Sequence, residues 1–300
     1  MSAFTTPTPR DSGAAEGRVA PTTTRAEASA SPHGCHHVTC RPSAAGRPAR
    51  RHPGGVRRGP RRSLATVAAE KASWAREKET WDYETDSWSL AAAAGSSGLH
   101  PRPVLREIAA ALPEDVVVAT DIGNICQIAN AYLSFDRPRS MLGAMMFGNC
   151  GYAFPTAVGA KFAAPERPVV ALVGDGAFGI SLNELLTCPR ERVGVTVVVF
   201  NNGQWGAEKK NHVDFYSERF IGVDLVNPSF AAIAQAFGWR GVRVDRLGDV
   251  GPALRAGVEA QRDGIPTLIE VLCTPGLGGP FRRDALQTPV RHLAGYRSRP

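Results

Sequence analysis

The stretches VVALVGDGAF, residues 169–178, and VTVVVFNNGQWG, residues 195–206, decide the fold. Each is a run of apolar, mainly β-branched residues that ends in glycine and polar side chains, which is typical of a buried strand followed by a turn. The segment between them, residues 180–188, is predicted to be a helix. Two strands joined through one helix are predicted to be parallel neighbours, whose carboxyl ends meet at the same edge of a sheet.

The same alternation continues on both sides of these strands. Further helices are predicted at residues 104–112, 122–133, 151–164, 230–237 and 250–261. The complete set of predicted strands is 116–119, 168–173, 195–200, 242–244 and 267–272. Nearly continuous apolar strands separated by helices predict an α/β domain at residues 99–292, in which helices cover both faces of a parallel sheet. Residues 293–300 form a C-terminal tail in this interpretation.

Residues 1–63 differ in composition from the rest of the chain. They are rich in Ala, Pro, Arg, Thr and Gly and nearly lack aliphatic side chains, so they are predicted to form a disordered tail. Residues 1–62 hold 11 arginines against three acidic residues, whereas residues 63–300 hold 24 basic and 25 acidic residues. The net charge of +7 therefore belongs to the tail and argues against a nucleic-acid partner for the folded part. A transit peptide, mistranslated upstream sequence and a basic nucleic-acid-binding tail are the alternatives.

Residues 64–98 are predicted to form an amphipathic helix followed by an Ala/Gly/Ser linker. Trp74, Trp81 and Trp88 recur every seven residues among charged side chains, which favours a helix that docks onto another surface.

No apolar run approaches the roughly 20 residues of a spanning helix, so we expect no membrane partner. The six cysteines form no tight framework, and we therefore expect reduced thiols and a cytoplasmic location.

Polar residues at the ends of the two deciding strands predict a site for metal and phosphate. Asp175 supplies a carboxylate oxygen and Asn202 an amide oxygen, which are hard ligands of the kind that Mg²⁺ prefers. Both lie at the carboxyl ends of strands, where open α/β sheets bind ligands. Close backbone approach and amide donation to phosphate oxygens are expected from four residues, Gly174, Gly176, Ala177 and Phe178.

These two strand ends also carry a family signature. GDG, followed 27 positions after its Asp by the second Asn of an NN pair, resembles the diphosphate-binding signature of thiamine-diphosphate enzymes. The resemblance implies thiamine diphosphate and Mg²⁺ as cofactors. It also implies that the metal is held by Asp175, by Asn202 and by the main-chain carbonyl of Gln204.

Two other segments extend the resemblance. FGNCGYAFPTAVGAK, residues 147–161, is similar to a segment in acetolactate-synthase-like members, and this similarity implies that Cys150 supports the cofactor from below. The segment TDIGN, residues 120–124, corresponds to a loop after the first strand. Gly123 and Asn124 are its implied diphosphate contacts.

Within that superfamily, three segments are similar to the C-terminal part of the sulfoacetaldehyde acetyltransferase family: HPRPVLREI, NNGQWGAEKKNHVDFY and CTPGLGGPFRRDAL. That family converts sulfoacetaldehyde and phosphate into acetyl phosphate and sulfite, and an acetolactate-synthase-like carboligase or decarboxylase is the alternative. Because the substrate and the phosphate acceptor are anions, fixed cations are expected in the site. The candidates are Lys209, Lys210, Arg282 and Arg283.

The resemblance also implies that the chain corresponds to part of an enzyme. In this family a glutamate from a separate pyrimidine-binding domain activates the cofactor, and no such domain is recognised in this sequence. The catalytic residue therefore stays unassigned. We expect the chain to associate as a homo-oligomer or with a separate pyrimidine-domain chain, and an inactive cofactor-binding remnant is the alternative.

Overall fold

The computed structural model of the protein describes residues 63–79 and 94–276. Residues 1–62 of the tail predicted at 1–63 lie outside the described residues, as do the tail at 293–300, Trp81, Trp88, Arg282 and Arg283. None of the described helices combines the length and the apolar composition that crossing a bilayer requires.

Six parallel strands form one sheet in the described part of the chain, in the order β2-β1-β3-β4-β6-β5. Their bounds are Val117–Thr120 for β1, Met141–Gly143 for β2, Val169–Gly174 for β3, Thr196–Asn201 for β4, Arg240–Val244 for β5 and Thr267–Leu272 for β6. The predicted parallel α/β fold is confirmed, and β3 and β4 are neighbours in it.

Helices precede, connect and flank these strands. Their bounds are Leu64–Glu79 for α1, Pro101–Ala111 for α2, Asn124–Tyr132 for α3, Ala153–Ala163 for α4, Asp175–Ser181 for α5, Thr187–Glu191 for α6, Gly206–Phe215 for α7, Phe230–Ala236 for α8 and Leu247–Ala260 for α9. Short 3₁₀ turns at Leu182–Leu186 and Gln261–Asp263 follow α5 and α9.

Alternate residues of the strands enter two different cores, so helices cover both faces of the sheet. On β3, Val170 and Leu172 pack with side chains of α2, α3 and α9. Val169, Ala171 and Val173 face the other way and pack with side chains of α4, α5 and α8. This alternation explains why β3 is apolar throughout, as strands covered on both faces are.

Three elements differ from the prediction. The edge strand β2 was not predicted, because three half-buried residues are too short to show a period. Helix α7 was not predicted either, because none of its residues is buried and it therefore shows no apolar stripe. Helix α5 begins at Asp175, five residues before the expected start at 180, because the glycines of GDGAFG hide the helical pattern.

The buried side chain of Gln261 fastens two strands together at the amino edge of the sheet. Its Oε1 accepts a hydrogen bond from the backbone N–H of Val169 at 2.9 Å. Its Nε2 donates to the carbonyl of Val169 and to Oγ1 of Thr196, both at 2.8 Å. Glutamine here satisfies buried polar groups that water does not reach.

Replacing Gln261 with Leu should lower the free energy of unfolding by about 2–4 kcal/mol, because it leaves buried polar groups of Val169 and Thr196 without partners. Urea unfolding of both proteins measures the difference. Arg262→Ala is the matched control, since the Arg262 side chain is exposed and its ion pair with Glu259 should contribute less than about 1 kcal/mol. Equal stabilities of Gln261→Leu and the control would contradict the assignment.

Candidate functional site

A cavity of about 510 Å³ opens at the carboxyl edge of the sheet, where polar residues follow β1, β3 and β4. Most of the residues predicted from the sequence line its wall: Gly123, Asn124, Cys150, Gly174, Asp175, Gly176, Ala177, Asn202 and Gln204. The size and the position are those of ligand sites in open α/β sheets.

A larger cavity, of about 680 Å³, lies at the opposite edge, beside residues that precede strands, such as Pro168 and Gly194. Its charged side chains have both signs, among them Lys161, Glu166 and Arg262. It contains none of the predicted site residues. We therefore assign the functional site to the cavity at the carboxyl edge.

Asp175 is the first residue of α5, and only 3% of its surface is exposed. Its Oδ1 accepts a hydrogen bond from the backbone N–H of Gly176 at 2.9 Å. Its Oδ2 accepts two, from the backbone N–H of Gly203 at 2.8 Å and from Nδ2 of Asn227 at 2.7 Å. Burial raises the pKa of Asp175, while these hydrogen bonds oppose the rise. Because Oδ2 already accepts two donors, Oδ1 is the oxygen with room for a cation.

Gln204 presents its backbone toward Asp175. It forms a short antiparallel bridge with Asp224. The hydrogen bonds of that bridge are made by the neighbours of Gln204: the N–H of Trp205 donates to the carbonyl of Val223, and the carbonyl of Gly203 accepts from the N–H of Leu225. The N–H and C=O of Gln204 therefore point away from Asp224, and the N–H bonds to Asp175. The side chain is engaged elsewhere, since its Nε2 donates to the carbonyl of Pro275 at 2.7 Å. The backbone carbonyl thus faces the same side as the Asp175 carboxyl group.

A chain of side-chain hydrogen bonds connects Asp175 to Glu270. Asn227 Nδ2 donates both to Asp175 and to Oδ1 of Asn201, the second bond at 2.9 Å. Asn201 Nδ2 in turn donates to Oε1 of Glu270 on β6 at 2.8 Å. The first Asn of the NN pair is therefore a structural residue, whereas the second, Asn202, lines the cavity. Asn227 and Glu270 were missed by the sequence analysis, because they lie far from both motifs along the chain.

Asp121 fixes the opposite wall of the cavity. This fully buried residue follows β1, and its carboxyl group accepts hydrogen bonds from the backbone N–H groups of Tyr152 at 3.4 Å and Ala153 at 3.1 Å. Burial raises the pKa of Asp121, and the backbone hydrogen bonds oppose the rise. Because Ala153 begins α4, Asp121 holds the loop with Cys150 in place. The segment TDIGN predicted diphosphate contacts at Gly123 and Asn124, but not this role of Asp121.

Cys150 is a half-buried free thiol on the cavity wall. Burial raises the pKa of its thiol, and the nearby carboxyl groups of Asp121 and Glu208 raise it further. These effects favour a neutral thiol over a nucleophilic thiolate. The environment fits the expected apolar support, which stays a prediction.

Three positions of the cavity wall are occupied by glycine for different structural reasons. Gly123 has φ 113°, a conformation that other residues rarely adopt. A Cβ atom on Gly176 would lie 2.8 Å from the indole ring of Trp205, so this glycine lets the ring pack against the backbone. A Cβ atom on Gly174 would meet no protein atom within 4 Å, and the backbone there is open to a ligand.

Phe178 is predicted to donate its backbone N–H to a phosphate oxygen, and its side chain lies in the core. Its ring contacts Phe154, with centroids 5.8 Å apart, and Phe230, with centroids 5.4 Å apart. Phe178 is also absent from the residues that line the cavity. Only its backbone N–H, in the first turn of α5, is left for the role that we expected.

The two predicted lysines lie on α7 and form ion pairs rather than lining the cavity. Lys209 pairs with Asp224, and Lys210 pairs with Asp214. Both lysine side chains are 15% exposed, so each pair is partly shielded from water. Their role as anion-binding residues stays a prediction.

Gln127, Glu208 and Trp205 are among the residues of the cavity wall that were not candidates. Gln127 lies one helical turn after Asn124 on α3, and the i, i+3 spacing places both amides on the same face. Glu208 and Trp205 follow the NN pair. Helical spacing from Asn124 was a usable signal for Gln127, whereas Glu208 required the structure of α7.

The amino-acid sequence also matches a known protein family. Residues 121–271 match the model described as "thiamine pyrophosphate enzyme, C-terminal TPP binding domain". The chain belongs to this family. The match includes the loop after β1, both strand ends of the cavity and β6, so thiamine diphosphate is the cofactor for which this domain is named.

Similar proteins refine the comparison. The chain is 60% identical over 200 residues to the sulfoacetaldehyde acetyltransferase of Castellaniella defragrans, covering 66% of this chain and 33% of that protein. It is 52% identical over 242 residues to that of Alcaligenes xylosoxydans xylosoxydans, covering 77% and 40%. An acetolactate synthase of Mycobacterium bovis is 34% identical over 157 residues, covering 51% and 25%. The predicted resemblance is confirmed, and the chain spans between a third and two fifths of the two acetyltransferases.

A solved structure agrees with the fold. The thiamine diphosphate-dependent 4-hydroxybenzoylformate decarboxylase of Rhodococcus jostii RHA1 superposes with a TM-score of 0.54 at 26% identity. The superposition covers 60% of this chain and 33% of that one. The parallel sheet described above is therefore shared with an enzyme of the same cofactor class.

The residues of the cavity fit a metal-bound diphosphate. Asp175 offers Oδ1, Gln204 turns its backbone toward Asp175, and the open backbone at Gly174 leaves room beside them. A carboxylate, an amide and a carbonyl are the oxygen ligands that suit Mg²⁺ when phosphate and water complete its shell. The wall beyond them is largely apolar, with Ile122, Ile180 and Phe200 among its side chains.

The raised pKa of Asp175 predicts a pH dependence of stability in the absence of ligands. Between the ordinary aspartate pKa of 3.8 and the higher folded value, the folded state holds the proton that the unfolded state has lost. The free energy of unfolding should therefore fall as pH rises through this window, by at most about 1.4 kcal/mol per pH unit.

Urea unfolding with EDTA, measured at several pH values, checks this expectation against Asp175→Asn, which cannot ionise at this position. The wild-type chain should lose stability relative to the variant as pH rises. Parallel pH profiles of the two proteins would show that the folded carboxyl group titrates normally.

Proposed function

We propose that this chain is the thiamine-diphosphate- and Mg²⁺-binding portion of a sulfoacetaldehyde acetyltransferase, an acyltransferase that turns sulfoacetaldehyde and phosphate into acetyl phosphate and sulfite. One observation carries the proposal. The cavity with Asp175, Asn202 and Gln204 on its wall occurs in a chain that is 60% identical over 200 residues to a sulfoacetaldehyde acetyltransferase.

Each polar residue has a distinct task in this proposal. Asp175 Oδ1, the amide oxygen of Asn202 and the carbonyl of Gln204 hold Mg²⁺, which in turn neutralises the diphosphate. Gly123, Asn124 and Ala177 border the diphosphate, and Cys150 supports the organic part of the cofactor. When bound, thiamine diphosphate supplies a carbanion that attacks a carbonyl carbon and an electron sink for the next bond cleavage.

Anion binding is assigned to the segment that continues from the cavity wall. Gly276 lines the wall, and Arg282 and Arg283 follow it by six and seven positions. Both arginines lie outside the described residues, and the assignment rests on the chemistry of their side chains. Their guanidinium groups suit sulfonate and phosphate oxygens, because both present forked acceptors. Lys209 and Lys210 contribute only if their ion pairs with Asp224 and Asp214 open.

The rest of the active site comes from elsewhere in this proposal. The matched relatives are two and a half to three times as long as the part that the chain covers. A pyrimidine-binding domain, in another chain or in a further part of the same protein, supplies the glutamate that activates the cofactor. We place the assembly in the cytoplasm, as the reduced cysteines suggest.

Asp175→Ala should abolish Mg²⁺-dependent binding of thiamine diphosphate, because it removes the only carboxylate proposed to hold the metal. Titration calorimetry on the purified chain, with and without EDTA, measures the loss. Asp245→Ala, which removes an exposed carboxylate remote from the cavity wall, is the matched control and should bind as the wild type does. Unchanged affinity of Asp175→Ala would contradict the metal assignment.

The substrate is tested in a chimera of full length, in which this chain replaces the matching third of the Castellaniella defragrans acetyltransferase. We expect phosphate-dependent release of sulfite from sulfoacetaldehyde, and its loss with Asp175→Ala. Acetolactate formation from pyruvate without sulfite release would favour the acetolactate-synthase alternative. If the separate chain releases sulfite by itself, the proposed need for a pyrimidine domain is wrong.

A further inference from the structure

Glu270 is a buried carboxylate on β6 that lies away from the cavity wall. It is 1% exposed, and all three of its described hydrogen-bond partners are donors. Oε1 accepts from Nδ2 of Asn201 at 2.8 Å, and Oε2 accepts from Oγ of Ser229 at 2.9 Å and from the backbone N–H of Ala231 at 3.0 Å. Burying a carboxylate is costly unless such donors surround it, so its presence calls for a reason.

The carboxylate fixes the orientation of two amides in succession. A carboxylate only accepts, so Asn201 must turn its NH₂ group toward Glu270 and its Oδ1 away. Oδ1 then accepts from Asn227, which must turn its own NH₂ group inward. That same NH₂ group donates to Oδ2 of Asp175 at 2.7 Å. One orientation of each amide satisfies the whole chain of bonds.

This chain of hydrogen bonds ends at Asp175, which is a proposed metal ligand. Asn227 and the backbone N–H of Gly203 both donate to Oδ2 of Asp175, whereas Oδ1 accepts from the N–H of Gly176; the N–H of Gln204 also bonds to this carboxyl group. The two donors on Oδ2 therefore fix the orientation of the carboxyl group, and Oδ1 has room to bind a cation. Partners that orient a ligating carboxylate in this way typically change metal affinity 10- to 100-fold.

We propose that Glu270 and Asn227 are positioning residues, which act through Asn201 to hold Asp175 ready for Mg²⁺. The inference rests on the proposed function, since it concerns the metal of the same site. It adds a role for two residues that lie outside the cavity wall and outside both sequence motifs. A purely structural role for Glu270, as an anchor for the start of α8 through Ser229 and Ala231, is the competing explanation.

Titration of the full chain separates the two explanations. Binding of thiamine diphosphate is measured by calorimetry at a series of Mg²⁺ concentrations, and stability is measured by urea unfolding without ligands. Asn227→Leu keeps the size of the side chain but removes the donor to Asp175. It should raise the Mg²⁺ concentration for half-maximal cofactor binding about tenfold or more, with full binding regained at saturating Mg²⁺.

Glu270→Gln tests the far end of the chain of bonds and guards against a folding defect in Asn227→Leu. A glutamine cannot accept from all three donors, so it should misorient Asn201 and raise the Mg²⁺ requirement in the same direction. Ser229→Ala is the matched control, because it removes one bond to Glu270 on the α8 side. It should lower stability and leave the Mg²⁺ requirement within twofold of the wild type.

The outcomes distinguish this inference from the proposed function. If the wild-type chain binds the cofactor with Mg²⁺ and both Asn227→Leu and Glu270→Gln keep its Mg²⁺ requirement within twofold, the positioning role is wrong and the proposed function stands. If the wild-type chain binds no cofactor, or binds it equally well in EDTA, the proposed function is overturned and this inference with it.

Discussion

The buried carboxyl group of Asp175 lies where β3 ends and α5 begins, and donors from three parts of the chain converge on it. Gly176 comes from its own helix, Gly203 from the turn after β4 and Asn227 from the loop before α8. A carboxylate removed from water must be met by such donors, so these segments are tied to one point. The geometry of the cavity follows from that constraint, because the backbone of Gln204 and the loop of Asn202 are fixed with Gly203.

The two edges of the sheet have different roles: the amino edge contributes to stability, and the carboxyl edge holds the candidate functional site. At the amino edge, the Gln261 side chain forms short hydrogen bonds with buried backbone groups of β3. Its role there is structural. At the carboxyl edge, burial raises the pKa values of both Asp121 and Asp175, which disfavours their charged forms. At Asp175, the proposed Mg²⁺ would stabilise the charged form that burial disfavours.

The sequence predicted the parallel sheet and the polar residues that follow β3 and β4 on the cavity wall, because both depend on local signals. The strands β3 and β4 are apolar throughout, and the residues that follow them in GDG and NNG must lie at one edge once the strands are parallel. Other features depend on contacts that no local pattern carries. Helix α7 has no apolar stripe, and the start of α5 at Asp175 is hidden by the glycines that surround it. Glu270 reaches Asn201 across 69 positions, a distance that only the sheet order reveals.

The position of β6 has a consequence for how the domain folds. It is the last described strand in the chain, yet it lies between β4 and β5, and β5 pairs with no other described strand. On a ribosome, β5 must therefore wait without a strand partner until β6 has emerged and inserted beside β4. Contacts of such long sequence separation make folding slow. Until residues 267–272 have been made, β5 and one edge of β4 are thus both unpaired and exposed to aggregation and to chaperones.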